Sequence, residues 1–175
     1  EESFSIRKIS LLRKINYKSA YISLKALEKD GIVDLKRMGN TIVCKFNNKF
    51  NDLVFRAEYL RREDLFKNKD FLAIYNQLLE LKFPFILLVF GSYAKGTQTK
   101  HSDIDLLLII NEENFGAVRT QISITPLNTH LTHIGYEDFV RMATSKEFSV
   151  VSEALKKNII LIGIEEYYRL LKNVR

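Results

Sequence analysis

Two acidic residues and a small glycine turn carry the densest chemistry in this chain. Asp103 and Asp105 stand two residues apart at the start of the apolar run Ile104–Ile110. That run reads as a β-strand, and side chains alternate along a strand, so both carboxylates are expected to point the same way. Two carboxylates side by side repel each other unless a cation lies between them. Mg²⁺ is a hard ion that takes carboxylate oxygens and retains phosphate and water ligands. Upstream, Gly91-Ser92 separates the apolar run Phe85–Phe90 from a short helical turn, Tyr93–Lys95, which Gly96 ends. Glycine lets a phosphate approach the backbone, and the N–H groups of such a turn and a serine hydroxyl donate to its oxygens. Lys95, one turn on, adds positive charge. The expectation is a Mg-nucleotide site, with Asp103 and Asp105 as metal ligands and Gly91, Ser92 and Lys95 as nucleotide binders. The turn is not a Walker P-loop. Gly91 and Gly96 have that spacing, but Thr97-Gln98 follow where Lys-Ser/Thr is required.

The elements around these residues alternate in type. Phe71, Ile74, Leu78 and Leu81 share one face of a helix expected from about Asp70 to Lys82, which Pro84 ends. Strands are expected at Phe85–Phe90 and Ile104–Ile110. Two more strand-like runs follow, near Val118–Thr125 and Thr129–Ile134. Helices are expected at Tyr136–Thr144 and Val150–Asn158, then a strand at Ile159–Ile162 and a final helix at Glu165–Lys172. Upstream, residues 50–70 carry mixed charge and suit a helical connector. The fold class is α/β (α+β), with a mixed sheet flanked by helices.

Gly-Ser, ten residues, then Asp-x-Asp resembles the signature of the DNA polymerase β-like nucleotidyltransferase superfamily. The apolar run before it, Leu106-Leu107-Leu108 after it and the late Ile159-Ile160-Leu161-Ile162-Gly163 strand extend the likeness to about residues 70–173. Within the superfamily the chain is most similar to the minimal nucleotidyltransferases (MNT). The resemblance implies that Asp103 and Asp105 bind Mg²⁺ bridging the triphosphate of an NTP, ATP being expected, while Gly91 and Ser92 hold the phosphates. An acceptor hydroxyl would attack the α-phosphorus in line, and pyrophosphate would leave. In the two-metal form a third carboxylate, on a later strand, helps activate the nucleophile. Here the chain departs from the family. The expected strand is Thr129-His130-Leu131-Thr132-His133-Ile134, with no acid in it. His130 or Thr132 falls in the expected place, and His130 is the candidate for the third position. Glu137 and Asp138 suit the N-terminal dipole of the next helix.

The first 50 residues read as helix, turn, helix and hairpin. Ile6, Ile9, Leu12 and Ile15 recur at roughly helical spacing, and Tyr17, Ala20, Leu24 and Leu27 share a face of a second helix that stops at Gly31. Val33–Met38 and Thr41–Phe46 suit two strands joined at Gly39-Asn40. This order resembles a winged helix-turn-helix. The resemblance implies DNA binding, with Lys18, Ser19, Ile22, Lys25 and Lys29 on the free face of the second helix and Lys36, Arg37 and Asn40 at the hairpin tip. Residues 1–66 hold 14 Lys/Arg against 9 Asp/Glu, so most of the net charge of +6 belongs to the front of the chain. The expected organisation is a winged helix at 1–50, a connector at 51–69 and an MNT domain at 70–175.

Cys44 is the only cysteine, which excludes an intrachain disulfide and a Cys-rich metal site. No apolar run is long enough to span a bilayer, and no signal-peptide pattern is present, so a cytoplasmic setting is expected. Three readings stay open. One is a transferase of nucleoside monophosphate, with AMP favoured, in which the acceptor is a partner protein as in HEPN–MNT toxin–antitoxin pairs. The second is a non-catalytic DNA-binding regulator whose nucleotidyltransferase fold senses nucleotide or binds a partner. The third, transfer onto a small molecule, lacks an evident substrate domain. A homodimer is expected if the winged helix reads two half-sites.

Overall fold

A computed structural model describes residues 3–125, 127–145 and 147–174. The chain divides into two compact units, Glu1–Val54 and Phe55–Arg175.

In the first unit a short strand, β1 (Phe4–Ser5), leads into helix α1 (Ile6–Leu12) and helix α2 (Tyr17–Lys29), followed by strands β2 (Val33–Met38) and β3 (Thr41–Phe46). The three strands form an antiparallel sheet in the order β1-β3-β2. Asn16, which interrupts the apolar pattern, caps α2: its side chain accepts from the Ser19 N–H at 2.8 Å. Gly31 ends α2 with φ of 67°, a left-handed conformation that glycine adopts without penalty. Ile6, Ala20, Leu24, Ile32, Val33 and Cys44 are buried together with few other side chains in this unit. The apolar face expected to run from Ile6 to Ile15 does not hold. The first helix stops at Leu12, and Leu12 and Ile15 are 64% and 43% exposed.

The connector segment contains helix α3 (Asp52–Leu65). Beyond it come helix α4 (Lys69–Leu79), strand β4 (Ile86–Val89), helix α5 (Gly91–Lys95) and strand β5 (Ile104–Ile109). Helix α6 (Glu112–Ser123), strand β6 (Thr129–Ile134), helices α7 (Tyr136–Thr144) and α8 (Val150–Lys156), strand β7 (Ile159–Ile162) and helix α9 (Ile164–Leu171) complete the unit. The sheet order is β6-β5-β4-β7. The β5–β6 pair is parallel and the other pairs are antiparallel, so the sheet is mixed.

The stretch Val118–Thr125, expected as a strand, is helical through Ser123 as the second half of α6, and Ile124 caps that helix. Its Val, Ile and Thr residues favour strands by type, but Val118 and Ile122 are four apart and both buried, so one helical face meets the core. Glu112 and Glu113 in the first turn complement the helix dipole.

Period-two alternation divides the central strands between two layers. Leu87 and Val89 of β4 and Leu106 and Leu108 of β5 join Phe71, Ile74 and Leu78 of α4 and Val118 and Ile122 of α6 in one core. The alternate residues, Ile86, Leu88, Leu107 and Ile109, are equally buried on the opposite face. Burial on both faces explains why these strands read as continuous apolar runs. Each such side chain contributes about 1.5–3 kcal/mol relative to exposure. Among the described residues, no helix is long and apolar enough to cross a membrane.

Candidate nucleotide site

The site begins where the buried strands end. β4 stops at Val89, and the Phe90 N–H donates to the Asp105 carbonyl at 3.0 Å, tying the start of the α5 turn to β5. Gly91 then opens α5 with φ of 64°, and no side chain caps that helix start. A Cβ on Gly91 would lie 2.0 Å from Asp105 Oδ2. Only a glycine lets the turn pass beneath this carboxylate. α5 began as an expected turn at Tyr93, but it starts two residues earlier, at the glycine itself. Gly96 closes it with φ of 71°.

Asp105 lies on β5 and is partly buried. Asp103 stands one residue before that strand and is exposed. Both carboxylates meet the neighbouring segment. The Asn128 side-chain amide donates to Asp103 Oδ1, and His130 Nδ1 lies 3.7 Å from Asp105 Oδ1. The register explains both contacts, since Asp105 pairs with His130 across the parallel β5–β6 ladder and the Ile104 N–H donates to the Asn128 carbonyl. The two aspartates and their two partners each stand two residues apart. His130 thus occupies the strand position opposite Asp105, with its side chain 70% exposed. Asn128 was not legible as a site residue, because its link to Asp103 spans 25 positions with no motif between. Glu137 and Asp138 lie in the first turn of α7, and Asp138 pairs with Arg141 at 2.6 Å.

Lys95 sits at the last turn of α5. Its Nζ pairs with Glu153 Oε1 of α8 at 2.9 Å, and Lys157 Nζ donates to the Lys95 carbonyl at 3.4 Å. Sequence reasoning missed Glu153 and Lys157, which lie about sixty positions away. Among the described residues, no three His, Cys, Asp or Glu side chains gather as a metal centre. The hard oxygen donors available to a divalent cation here are the carboxylates of Asp103 and Asp105. The glycine turn brings the backbone close to Asp105, and a carboxylate beside an open backbone turn fits a cation carrying phosphate ligands.

Residues 73–167 match the family described as Polymerase beta, Nucleotidyltransferase. The chain belongs to that family. The match spans β4, α5, β5 and β6, so the glycine turn and both aspartates lie within the nucleotidyltransferase domain. No curated protein matches the chain. Among solved structures, a chain of "Crystal structure of the toxin-antitoxin with AMP-PNP" aligns at 17% identity, covering 57% of this chain and 83% of its own, with a TM-score of 0.37.

The residues expected to meet DNA all lie in the first unit. Lys18, Ser19, Ile22, Lys25 and Lys29 are exposed along α2, while Ala20 and Leu24 on its other face are buried. Lys25 pairs with Glu28 at 2.8 Å, which raises the lysine pKa and lowers that of the glutamate. Lys36, Arg37 and Asn40 are exposed on the hairpin, and Arg37 Nε donates to the Gly39 carbonyl at 3.2 Å. The buried Cys44 thiol is pushed up in pKa by desolvation.

Proposed function

We propose that this nucleotidyltransferase domain transfers AMP from Mg-ATP to an acceptor hydroxyl. The observation that supports the reading is the close approach of the Gly91 backbone to the Asp105 carboxylate, where a Cβ would lie 2.0 Å from Oδ2. Asp103 and Asp105 would hold the divalent ion, and Asn128 orients Asp103. Bound there, such an ion neutralises phosphate charge during transfer. Gly91 and Ser92 present the turn to the phosphates, and Lys95 is the nearest cation on the same helix. In the transfer, a bond forms between the acceptor oxygen and the α-phosphorus, the hydroxyl proton passes to solvent, and the bond from the α-phosphorus to the bridging oxygen breaks, releasing pyrophosphate. His130, opposite Asp105, is the candidate for the third position.

A second reading draws on the first unit. The order of β1, α1, α2 and the β2–β3 hairpin supports a winged helix in residues 1–50, with the exposed basic face of α2 directed to a DNA groove. On this reading the protein is a DNA-binding regulator whose second unit binds nucleotide without turnover. The absence of an acid on β6 favours it.

Labelling with α-³²P-ATP and Mg²⁺ in cell lysate separates the two. The enzyme reading predicts a labelled product that disappears in the Asp103→Ala/Asp105→Ala double variant, and the labelled species reports whether the acceptor is a partner protein. Absence of label, with Mg-ATP binding still present in the native chain and lost in the double variant, rejects the enzyme and leaves the nucleotide-responsive regulator.

A further inference from the structure

Lys95 is expected to meet the phosphates, yet its ammonium is held elsewhere. Glu153 of α8 takes it at 2.9 Å, and both side chains are partly exposed, at 48% and 34%. The hold is not an accident of two long side chains. α8 is fixed by a capping box, in which Ser149 and Ser152 exchange side-chain and backbone bonds, and Val151 and Ala154 anchor the helix in the core. Glu153 therefore starts from a rigid helix turn. Lys157, at the end of the same helix, reaches the Lys95 carbonyl at 3.4 Å, so two cations and one acid converge at the end of α5. α5 is five residues long, so Lys95 lies about 6 Å along the axis from Gly91, within reach of an extended lysine side chain.

We propose that Glu153 sets the affinity of the site for nucleoside triphosphate by competing with the phosphates for Lys95. The inference rests on the reading of the Gly91–Lys95 turn as the phosphate site. A bound triphosphate must draw Lys95 from Glu153, and the cost of breaking that pair is taken from its affinity. Glu153 acts through Lys95 and is a positioning residue that touches no reacting atom. Neutralising it frees Lys95 and leaves Lys95 and Lys157 as uncompensated cations.

The test is equilibrium binding of ATP with Mg²⁺ to the full chain, measured by calorimetry. Glu153→Gln is expected to tighten binding about three-fold, the range of a partly exposed ion pair. Lys95→Met weakens it, and Glu153→Gln added to Lys95→Met produces no gain. Glu153→Asp, which keeps the charge, returns binding toward the native value. Thermal midpoints of all variants are compared so that a loss of fold is recognised. Binding that is unchanged or weaker in Glu153→Gln, or a gain that persists without Lys95, overturns the proposal. In the same series, native binding lost in Asp103→Ala/Asp105→Ala upholds the nucleotide site independently of Glu153. Absence of Mg-ATP binding to the native chain rejects that site and the competition together.

Discussion

The second unit's sheet ends in two edge strands that are treated in opposite ways. At one edge, β7 is met by a partly buried polar network. Arg61 of α3 donates to the Asn158 carbonyl and makes two bonds to the Glu58 carboxylate, at 2.8 and 2.9 Å. Tyr168 donates to Glu58 at 2.9 Å, and Asn158 donates to the Tyr167 hydroxyl at 3.0 Å. Arg62 reaches the Leu161 carbonyl at 3.4 Å. At the other edge, none of the residues of β6 is fully buried, and His130 projects into solvent beside Asp105. An uncovered strand edge is a liability unless something manages it, so proteins usually blunt both edges. Here the β7 edge is tied by side-chain bonds, and the β6 edge is the one that borders the candidate site.

The turn between the two interior strands β4 and β5 gives the largest expected effect. Gly91→Ala places a methyl group 2.0 Å from Asp105 Oδ2 in a left-handed conformation, so Asp105 or the turn must move. The cost is about 2–4 kcal/mol, from backbone strain and overpacking together. Gly96→Ala is the control, because it shares a positive φ but would meet nothing within 4 Å. Its cost is about 1 kcal/mol. Urea denaturation with parallel Mg-ATP binding distinguishes them: Gly91→Ala loses both stability and binding, whereas Gly96→Ala loses a little stability alone. Equal losses in the two variants would mean that the close approach to Asp105 has no special role.

Breaking the closed edge comes next. Glu58→Ala removes the acceptor of the Tyr168 hydroxyl and the partner of Arg61, for an expected loss of about 2–3 kcal/mol in urea unfolding. Mg-ATP affinity in the folded protein stays within two-fold of native, in the range of about 0.4 kcal/mol. The same edge responds to alkali. Burial pushes the Tyr167 hydroxyl up to about 12 and raises that of Tyr168 further still, with Glu58 adding repulsion. In the unfolded chain these phenols release their protons near the ordinary value of 10. The folded state then holds more protons than the unfolded one, so stability is intact below pH 10 and declines as pH rises from there through about 12. Tyr167→Phe flattens that decline in a pH series of unfolding midpoints, and an unchanged slope would place the titration elsewhere.

What was legible in the sequence follows the same division. Asp103, Asp105 and the Gly91-Ser92 turn sit close together in the chain, so their types and spacing alone mark a candidate site. The buried strands β4 and β5 were equally plain, as apolar runs bounded by turn residues. The helix at α6 was not, because β-branched residues in Val118–Thr125 suited a strand by type while their four-residue spacing served a helical face. Contacts closed only by the tertiary fold left no local trace. Asn128 meets Asp103, and Glu153 meets Lys95, across 25 and 58 positions. The Glu58 network spans 110 positions to Tyr168. In the first unit, the spacing of Ile6 to Ile15 overstated the apolar face, since Asn16 caps a new helix and the chain turns at Lys14, which has φ of 53°.

The open edge offers the smallest structural change with the most informative outcome. His130 is largely exposed and contributes little packing, so His130→Asp is expected to shift stability by no more than about 0.5 kcal/mol. Yet the register sets residue 130 opposite Asp105. An aspartate there adds a third hard oxygen donor to a pair that otherwise consists of Asp103 and Asp105, and Mg²⁺ gains from each such ligand. The expected result is tighter Mg²⁺-dependent ATP binding and more α-³²P label transferred than in the native chain. His130→Asn has similar size without the charge and restores neither. If His130→Asp gives no gain while both strands remain folded, position 130 does not face the site. If His130→Asn abolishes native labelling, the imidazole itself works in the reaction, and the open edge is then complete as it stands.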